Sequence, residues 1–342
     1  MIAIFDDRQL GHRPAHEFFN GALTAHADTP ARAANVLAAI GGTTAPVDHG
    51  MAALVAVHDP AYLAFLAQAH DRWLAAGRTG DAIGYAWPVV GRRPLDLSRI
   101  DALLGRFTAD AVTPIDAGTW DAAYWGAQSA LTALDHVLAG AVAAFALCRP
   151  PGHHAGRDYA GGYCFLNNAA IVAQAAVDAG RRVAILDVDY HHGNGTQDIF
   201  YDRGDMAFVS IHADPGTDFP YFWGHADETG AGAGVGANHN IVLPRGTDWT
   251  DYAPRLDDAL ATVAAHAADL LILSFGADTF EGDPIAGFTL TTADFATMGR
   301  RIAATAPSTV IVMEGGYAVD ALGANVAALL AGFEDARQTV DG

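Results

Sequence analysis

The stretch Val183-Ala184-Ile185-Leu186-Asp187-Val188-Asp189-Tyr190-His191-His192-Gly193-Asn194-Gly195 decides how this chain is read. Its first four residues form a short apolar run, the pattern of a strand buried on both faces of a parallel sheet. Two carboxylates then alternate along the strand exit, and two imidazoles follow at once. Glycines next let the backbone turn and approach a ligand closely. Burying that much polarity at the end of a core strand is costly unless the groups meet a metal or each other.

Outward from this stretch, strands alternate with helices. Short apolar runs at 2–5, 53–57, 141–147, 207–211, 240–243, 270–275 and 309–313 read as further strands. Thr29-Pro30 opens a helix to about 40, and Pro60 starts another. A helix over 119–138 stops at Gly140, and Asn167 or Asn168 caps the next, which ends near Gly180. Later helices cover 197–201, 251–266, a segment capped by Thr291 or Thr292, and 319–333. Periodicity is poor over 77–118 apart from a short helix at 101–107, and a loop of that length is functional or an interface element. No repeat or linker interrupts the pattern. It predicts one domain over 1–342, a doubly wound, mainly parallel α/β sheet.

Lys+Arg number 19 against 39 Asp+Glu, a net charge of −20. That balance opposes binding to nucleic acid or an anionic membrane, and it favours cationic substrates or simply solubility. Cys148 and Cys164 are too few for a disulfide framework or a thiolate zinc site. The N-terminus lacks the basic and apolar regions of a signal peptide, and no apolar run is long enough to span a bilayer. A cytoplasmic protein is the expectation.

In a parallel sheet the carboxyl ends of the strands line one edge, where ligands bind. Four exits carry polar groups: His153-His154, Asp187 to His192, Asp278 and Tyr317. Asp189, His191 and Asp278 offer two oxygens and a nitrogen, a set suited to Zn²⁺ or Fe²⁺ with an open position. Asp278 alone reads equally as a helix cap. His153 and His154 are candidates to accept a proton from a metal-activated water. Tyr317, on a Glu-Gly-Gly turn, is a candidate to donate to a developing oxyanion or is an ordinary packed tyrosine.

These residues resemble a known family. RPPGHHA from Arg149, GGYCFLNN from Gly161, DVDYHHGNGTQ from Asp187, FGADTFEGDP from Phe275 and EGGY from Glu314 follow the order found in histone deacetylases and their bacterial relatives. The N-terminal part, with the loop after Trp87-Pro88, is most similar to the acetylpolyamine amidohydrolase branch. The resemblance implies the arginase/deacetylase fold, an eight-stranded parallel sheet flanked by helices. It implies Zn²⁺ on Asp189, His191 and Asp278, with water attacking an acetamide carbonyl polarised by the metal and Tyr317. His154 would be general base and then acid, and His153 its electrostatic partner.

Asp187 would accept a hydrogen bond from His153, and Asn194 would orient His154. A neutral partner raises the imidazole pKa less than a carboxylate would, which keeps His154 neutral as a base must be. A structural K⁺ near Asp187, Asp189, His191 and Ser210 is also implied. Gly162, Tyr163 and Phe219 would wall a narrow tunnel, although without the resemblance the two aromatics read as core. Ile285 stands where a glutamate marks the eukaryotic polyamine-selective branch. Glu17 and Asp101 align with acidic positions that recognise distal amines, and the 77–118 loop would build a homodimer and shape the entrance. His192 is left without a role.

The expected activity is therefore zinc-dependent deacetylation of small cationic acetylated amines, above all acetylpolyamines. Alternatives are a deacetylase of acetyl-lysine proteins or other small amides, and an inactive module that binds acetylated ligands. An arginase-like dimanganese enzyme would need a second set of bridging carboxylates, which the sequence lacks.

Overall fold

The computed structural model describes residues 1–89, 95–306 and 308–338, so 90–94 of the 77–118 loop, and 307 and 339–342 of the expected domain, lie outside the described residues. The chain begins with β1 (Ile2–Ile4), a 3-10 turn (Asp7–Gly11) and a hairpin of β2 (His16–Phe19) and β3 (Ala22–Ala25). Helices α1 (Pro30–Ile40), α2 (Ala52–Val57), α3 (Pro60–Leu66), α4 (Ala69–Ala75), α5 (Ile100–Phe107) and α6 (Thr119–Leu138) follow. Alternation then sets in with β4 (Ala143–Ala146), α7 (Asn168–Asp178), β5 (Val183–Asp187), α8 (Asn194–Phe200), β6 (Met206–Ala213) and β7 (Asn238–Leu243). The chain closes with α9 (Trp249–Ala265), β8 (Leu270–Phe275), α10 (Thr292–Thr305), β9 (Ser308–Met313) and α11 (Val319–Gln338).

One sheet runs β1-β4-β9-β8-β5-β6-β7, with every neighbour parallel. The expected parallel α/β architecture is present, with seven strands among the described residues instead of eight. The difference is the segment expected as a strand over 53–57, which is helix α2. Short apolar runs fit either element, and here Leu54 and Val57, three apart, are both buried on one helical face. Beyond β1 the sheet continues only as a single bridge from Ile4 to Thr44. The hairpin and α4 were not anticipated. Asn20-Gly21 at the hairpin tip holds φ of 49° and 79°, which is why an Asn-Gly pair suits that turn.

Side chains on the central strands alternate strictly between two cores, as pleating requires. Ile185, Ile272, Val310 and Phe208 enter one core, shared with α2, α3, α5, α6 and α7. Leu186, Leu273, Ile311 and Val209 enter the other, shared with α1, α9, α10 and α11. Because both faces are covered, the strands are continuously apolar and only their ends reach a ligand. Leu273 is fully buried. Leu273→Ala should lower unfolding free energy by about 2–5 kcal/mol, read from the urea midpoint at unchanged slope.

Candidate active site

The last two strands of the chain, β8 and β9, insert between β4 and β5. The four polar exits therefore sit side by side at one sheet edge, where parallel α/β folds bind ligands.

Asp189, His191 and Asp278 meet there, with one ligand atom of each within 4.8 Å of the others. Backbone N–H groups hold the carboxylates in place. Tyr190 N–H donates to Asp278 Oδ1 at 2.9 Å, and Gly315 N–H donates to Asp189 Oδ2 at 2.8 Å. That leaves Asp189 Oδ1 and Asp278 Oδ2 at 3.4 and 3.1 Å from His191 Nδ1. Burial opposes charge on His191, yet hydrogen bonding to Asp189 and Asp278 raises it to about 10. Asp278 is pushed up to about 7 by burial and by the charge of Asp189. A proton is thus drawn into a space lined by three lone-pair donors, and a divalent cation satisfies the same atoms better. The donor set fits Zn²⁺.

The two loop histidines have opposite protonation. His153 Nδ1 lies 3.0 Å from Asp187 Oδ2. Burial disfavours its charge, but Asp189 and Asp187 raise it to about 10. His154 Nδ1 donates to Asn194 Oδ1 at 2.7 Å, which leaves its Nε2 lone pair free. Burial drives His154 well below the usual range, and the positive charges of His153 and His191 push the same way. The surroundings thus favour charge on His153 and disfavour it on His154.

Several supporting residues were not anticipated. Asn194 Nδ2 donates to the Tyr159 oxygen at 3.1 Å, and the Tyr159 hydroxyl donates to Asp198 at 2.7 Å, so a three-residue chain fixes the His154 partner. Glu314 accepts N–H bonds from Gly152 and His153 at 2.6 and 3.0 Å and the Ser274 hydroxyl at 2.8 Å. Its place in EGGY was a visible signal; that of Tyr159 was not. Arg32 donates to the carbonyls of Gly316 and Glu314 at 2.6 Å each, with its guanidinium 4.6 Å from the Tyr317 ring centre. Asp283 accepts from the N–H groups of Tyr317 and Ala318 at 2.6 and 3.1 Å. The tyrosine turn is braced from both sides.

A cavity of about 480 Å³ opens onto this floor. His154, His191 and Tyr317 line its base, and Gly162, Tyr163, Phe219 and Ile285 line it as well. The Phe219 ring stands edge-on to His154 at 5.0 Å, and Tyr163 to Tyr317 at 5.4 Å. A Cβ on Gly162 would lie 2.2 Å from the His154 ring, so a side chain there would displace the base. Asp110 and Arg245 also line the cavity. Asp110 accepts from Gly162 N–H at 2.7 Å and Thr113 Oγ at 2.8 Å, and Arg245 pairs with Asp218. Neither was picked out from the sequence.

Glu17 and Asp101 do not line the cavity of this chain. Glu17 is buried behind the wall, accepting from the Tyr163 hydroxyl at 3.0 Å and from His26 at 2.9 Å. Asp101 is ion-paired to Arg78 and Arg99 and lines a separate depression with them. Ser210 pairs in register with Asp187 across β6 and β5, and its hydroxyl meets His212 Nδ1 at 2.8 Å. His192 is fully buried, its ring 4.5 Å from that of His212.

Fold and site together define a family. The Histone deacetylase domain model matches residues 26–333, and the chain belongs to the histone deacetylase family, whose members are generally zinc-dependent. Within it, the chain is 49% identical to acetylpolyamine amidohydrolase 1 of Pseudomonas aeruginosa, over 98% of this chain and 99% of that one. It is 47% identical to the acetylpolyamine amidohydrolase of Mycoplana ramosa, over 97% and 99% of the two chains. The solved acetylpolyamine aminohydrolase of Burkholderia pseudomallei superposes with a TM-score of 0.94 at 43% identity, covering 98% of this chain and 99% of that one.

Because His154 faces a neutral amide, Asn194→Asp supplies a partner for the charged imidazole and raises its pKa. The acidic limb of kcat/KM should then move to higher pH, since less neutral base remains at a given acidic pH. A pH–rate profile of the two proteins reads the shift.

Proposed function

We propose that this chain hydrolyses the acetamide of acetylated polyamines, releasing acetate and the free amine. The observation that carries the reading is the floor of the cavity, where three buried metal-ligand atoms meet a neutral histidine and a tyrosine. Relatives that match this chain almost end to end carry the same activity in their names. The grouping of His154, Tyr317 and the three candidate ligands supports turnover over an inactive binding module.

Asp189, His191 and Asp278 would hold Zn²⁺, which supplies Lewis acidity and lowers the pKa of water toward about 7. His154 Nε2 takes a proton from the attacking water as the new C–O bond forms. Tyr317 O–H donates to the carbonyl oxygen as charge develops on it, and burial keeps that hydroxyl protonated. The protonated His154 then returns its proton to the amine nitrogen as the C–N bond breaks. His153, charged beside Asp187, keeps a positive field over the reacting carbonyl. On the same reading a K⁺ binds around Asp187, Asp189, His191 and Ser210.

Phe219 and Tyr163 line the cavity, packed against His154 and Tyr317, which supports a substrate with a thin alkyl chain. Charge favours a cationic one, with a net −20 on the protein. Asp101 would contribute to amine recognition only if a second copy brought it to the mouth. Exposed Tyr85, Val89 and Leu95 in the 77–118 loop support such a dimer. Buried free Cys148 and Cys164 fit a reducing cytoplasm, and no helix among the described residues is long and apolar enough to cross a membrane.

The test is a panel of acetylputrescine, acetylspermidine, a neutral acetylated alkylamine and an acetyl-lysine peptide on the Zn²⁺-loaded protein. Higher kcat/KM on the polyamines is expected, and preference for the peptide would transfer the assignment to protein deacetylation. Tyr317→Phe should lower kcat by roughly 10²–10³-fold without reducing bound zinc.

A further inference from the structure

Three buried polar atoms outside the catalytic floor belong to residues that cluster together, and none of the three has a hydrogen-bond partner. They are His12 Nε2, His26 Nε2 and Asp28 Oδ2, each buried with no hydrogen-bond partner. The ligand atoms of these three residues all lie within 4.8 Å of one another. His12 follows the 3-10 turn, and His26 and Asp28 follow β3, so two separate segments of the chain build the cluster.

The surrounding hydrogen bonds fix what each atom offers. Thr119 Oγ donates its proton to Asp116 Oδ1 at 2.8 Å, so it accepts from His12 Nδ1 at 2.9 Å. His26 Nδ1 lies 2.9 Å from Glu17 Oε2, which as a carboxylate can only accept. In their neutral form both imidazoles spend their proton on Nδ1 and present a bare lone pair at Nε2. Asp28 Oδ1 accepts from Arg32 at 2.6 Å and Arg149 at 3.2 Å, which turns Oδ2 toward the histidines. Three acceptors with no donor between them are unstable in a dry interior. A water can donate to two of them at most, whereas a cation satisfies all three.

We propose that His12, His26 and Asp28 form a second divalent-metal site, of the zinc class, separate from the one formed by Asp189, His191 and Asp278. Two imidazoles and a carboxylate are a zinc-type donor set, and three protein ligands leave one position for water. Each histidine carries the oriented partner that metal-binding imidazoles usually have: Glu17 behind His26, and Thr119 with Asp116 behind His12. The local charge also allows a cation. Carboxylates Asp28, Glu17 and Asp116 outnumber guanidiniums Arg32 and Arg149. Those two arginines lie against the ligand carboxylate, so this site is the weaker of the two and should empty first.

Its place in the fold gives it a task. His26 holds Glu17, and Glu17 holds the Tyr163 hydroxyl, so a metal here would brace the tunnel wall from behind. The His26 and Tyr163 rings also meet edge-on at 5.0 Å.

The test counts metal and needs no turnover. Full-length protein is dialysed to equilibrium against buffered free Zn²⁺, and bound zinc per chain is measured by mass spectrometry. Two zinc ions per wild-type chain are expected. His26→Gln should bind one, and so should Asp278→Asn, each losing a different ion. Should His26→Gln fail to fold, anomalous scattering from wild-type crystals on either side of the zinc edge decides. A peak among His12, His26 and Asp28 supports the site, and a single peak at Asp189 and Asp278 overturns it, leaving a buried water there. One zinc per wild-type chain likewise overturns it.

Discussion

Asp187, Asp189, Asp278 and Glu314 are fully buried at the carboxyl ends of adjacent strands, and the rest of the site follows from holding that much negative charge out of water. Backbone N–H groups from neighbouring exits bond the outer lone pairs: Tyr190 on Asp278, Gly315 on Asp189, and Gly152 with His153 on Glu314. Those bonds orient the carboxylates and cost no net charge. The remaining charge is met by His153, made an imidazolium by its neighbours, and by whatever fills the space between Asp189, His191 and Asp278. The same crowding shows in the titration: the carboxylates raise His191, and burial with the charge of Asp189 raises Asp278. A divalent cation is the electrostatic complement of the arrangement.

Such packing requires backbone where side chains would ordinarily be. A Cβ on Gly276 would sit 1.9 Å from Asp189 Oδ2, so the β8 exit can reach Asp278 only as glycine. Gly162 has φ of +52° and lies against the His154 ring, which lets the wall close over the base. The polar groups thus determine the glycine positions, and the glycines determine how narrow the cavity becomes.

The parts that were legible in the sequence are those where one residue type solves one chemical problem. The apolar run before Asp187 marked the strand, and the Asp-x-His spacing at its exit marked Asp189 and His191 as candidate ligands. Asn167 as a cap could be read because its side chain does bond Ala170 N–H. Segment 53–57 misled because five apolar residues carry no period long enough to separate helix from strand. Glu17 and Asp101 posed a different difficulty. An acidic residue in a loop looks the same whether it faces substrate, a tyrosine or two arginines, and only the tertiary structure separates these cases. Tyr159 and Asp198 were invisible for a related reason, since they act through Asn194 and touch nothing catalytic themselves.

The N-terminal segment looks peripheral to the chemistry by motif, yet it is mechanically joined to it. Arg149, fully buried at the β4 exit, bonds the carbonyls of Gln9, His12 and Asp28 at 2.9, 2.8 and 2.6 Å. Arg32, from α1, grips Asp28 with one nitrogen and the Tyr317 turn with two others. One buried network thus connects the segments flanking the hairpin, the loop that carries the histidines and the turn that carries the tyrosine. A change near the hairpin that widened the cavity would also pull on Arg32, and with it on the turn that carries Tyr317. Selectivity and rate should therefore be coupled in this chain even for substitutions far from the metal ligands. That coupling gives a physical reason for burying two arginines where apolar residues would pack at lower desolvation cost.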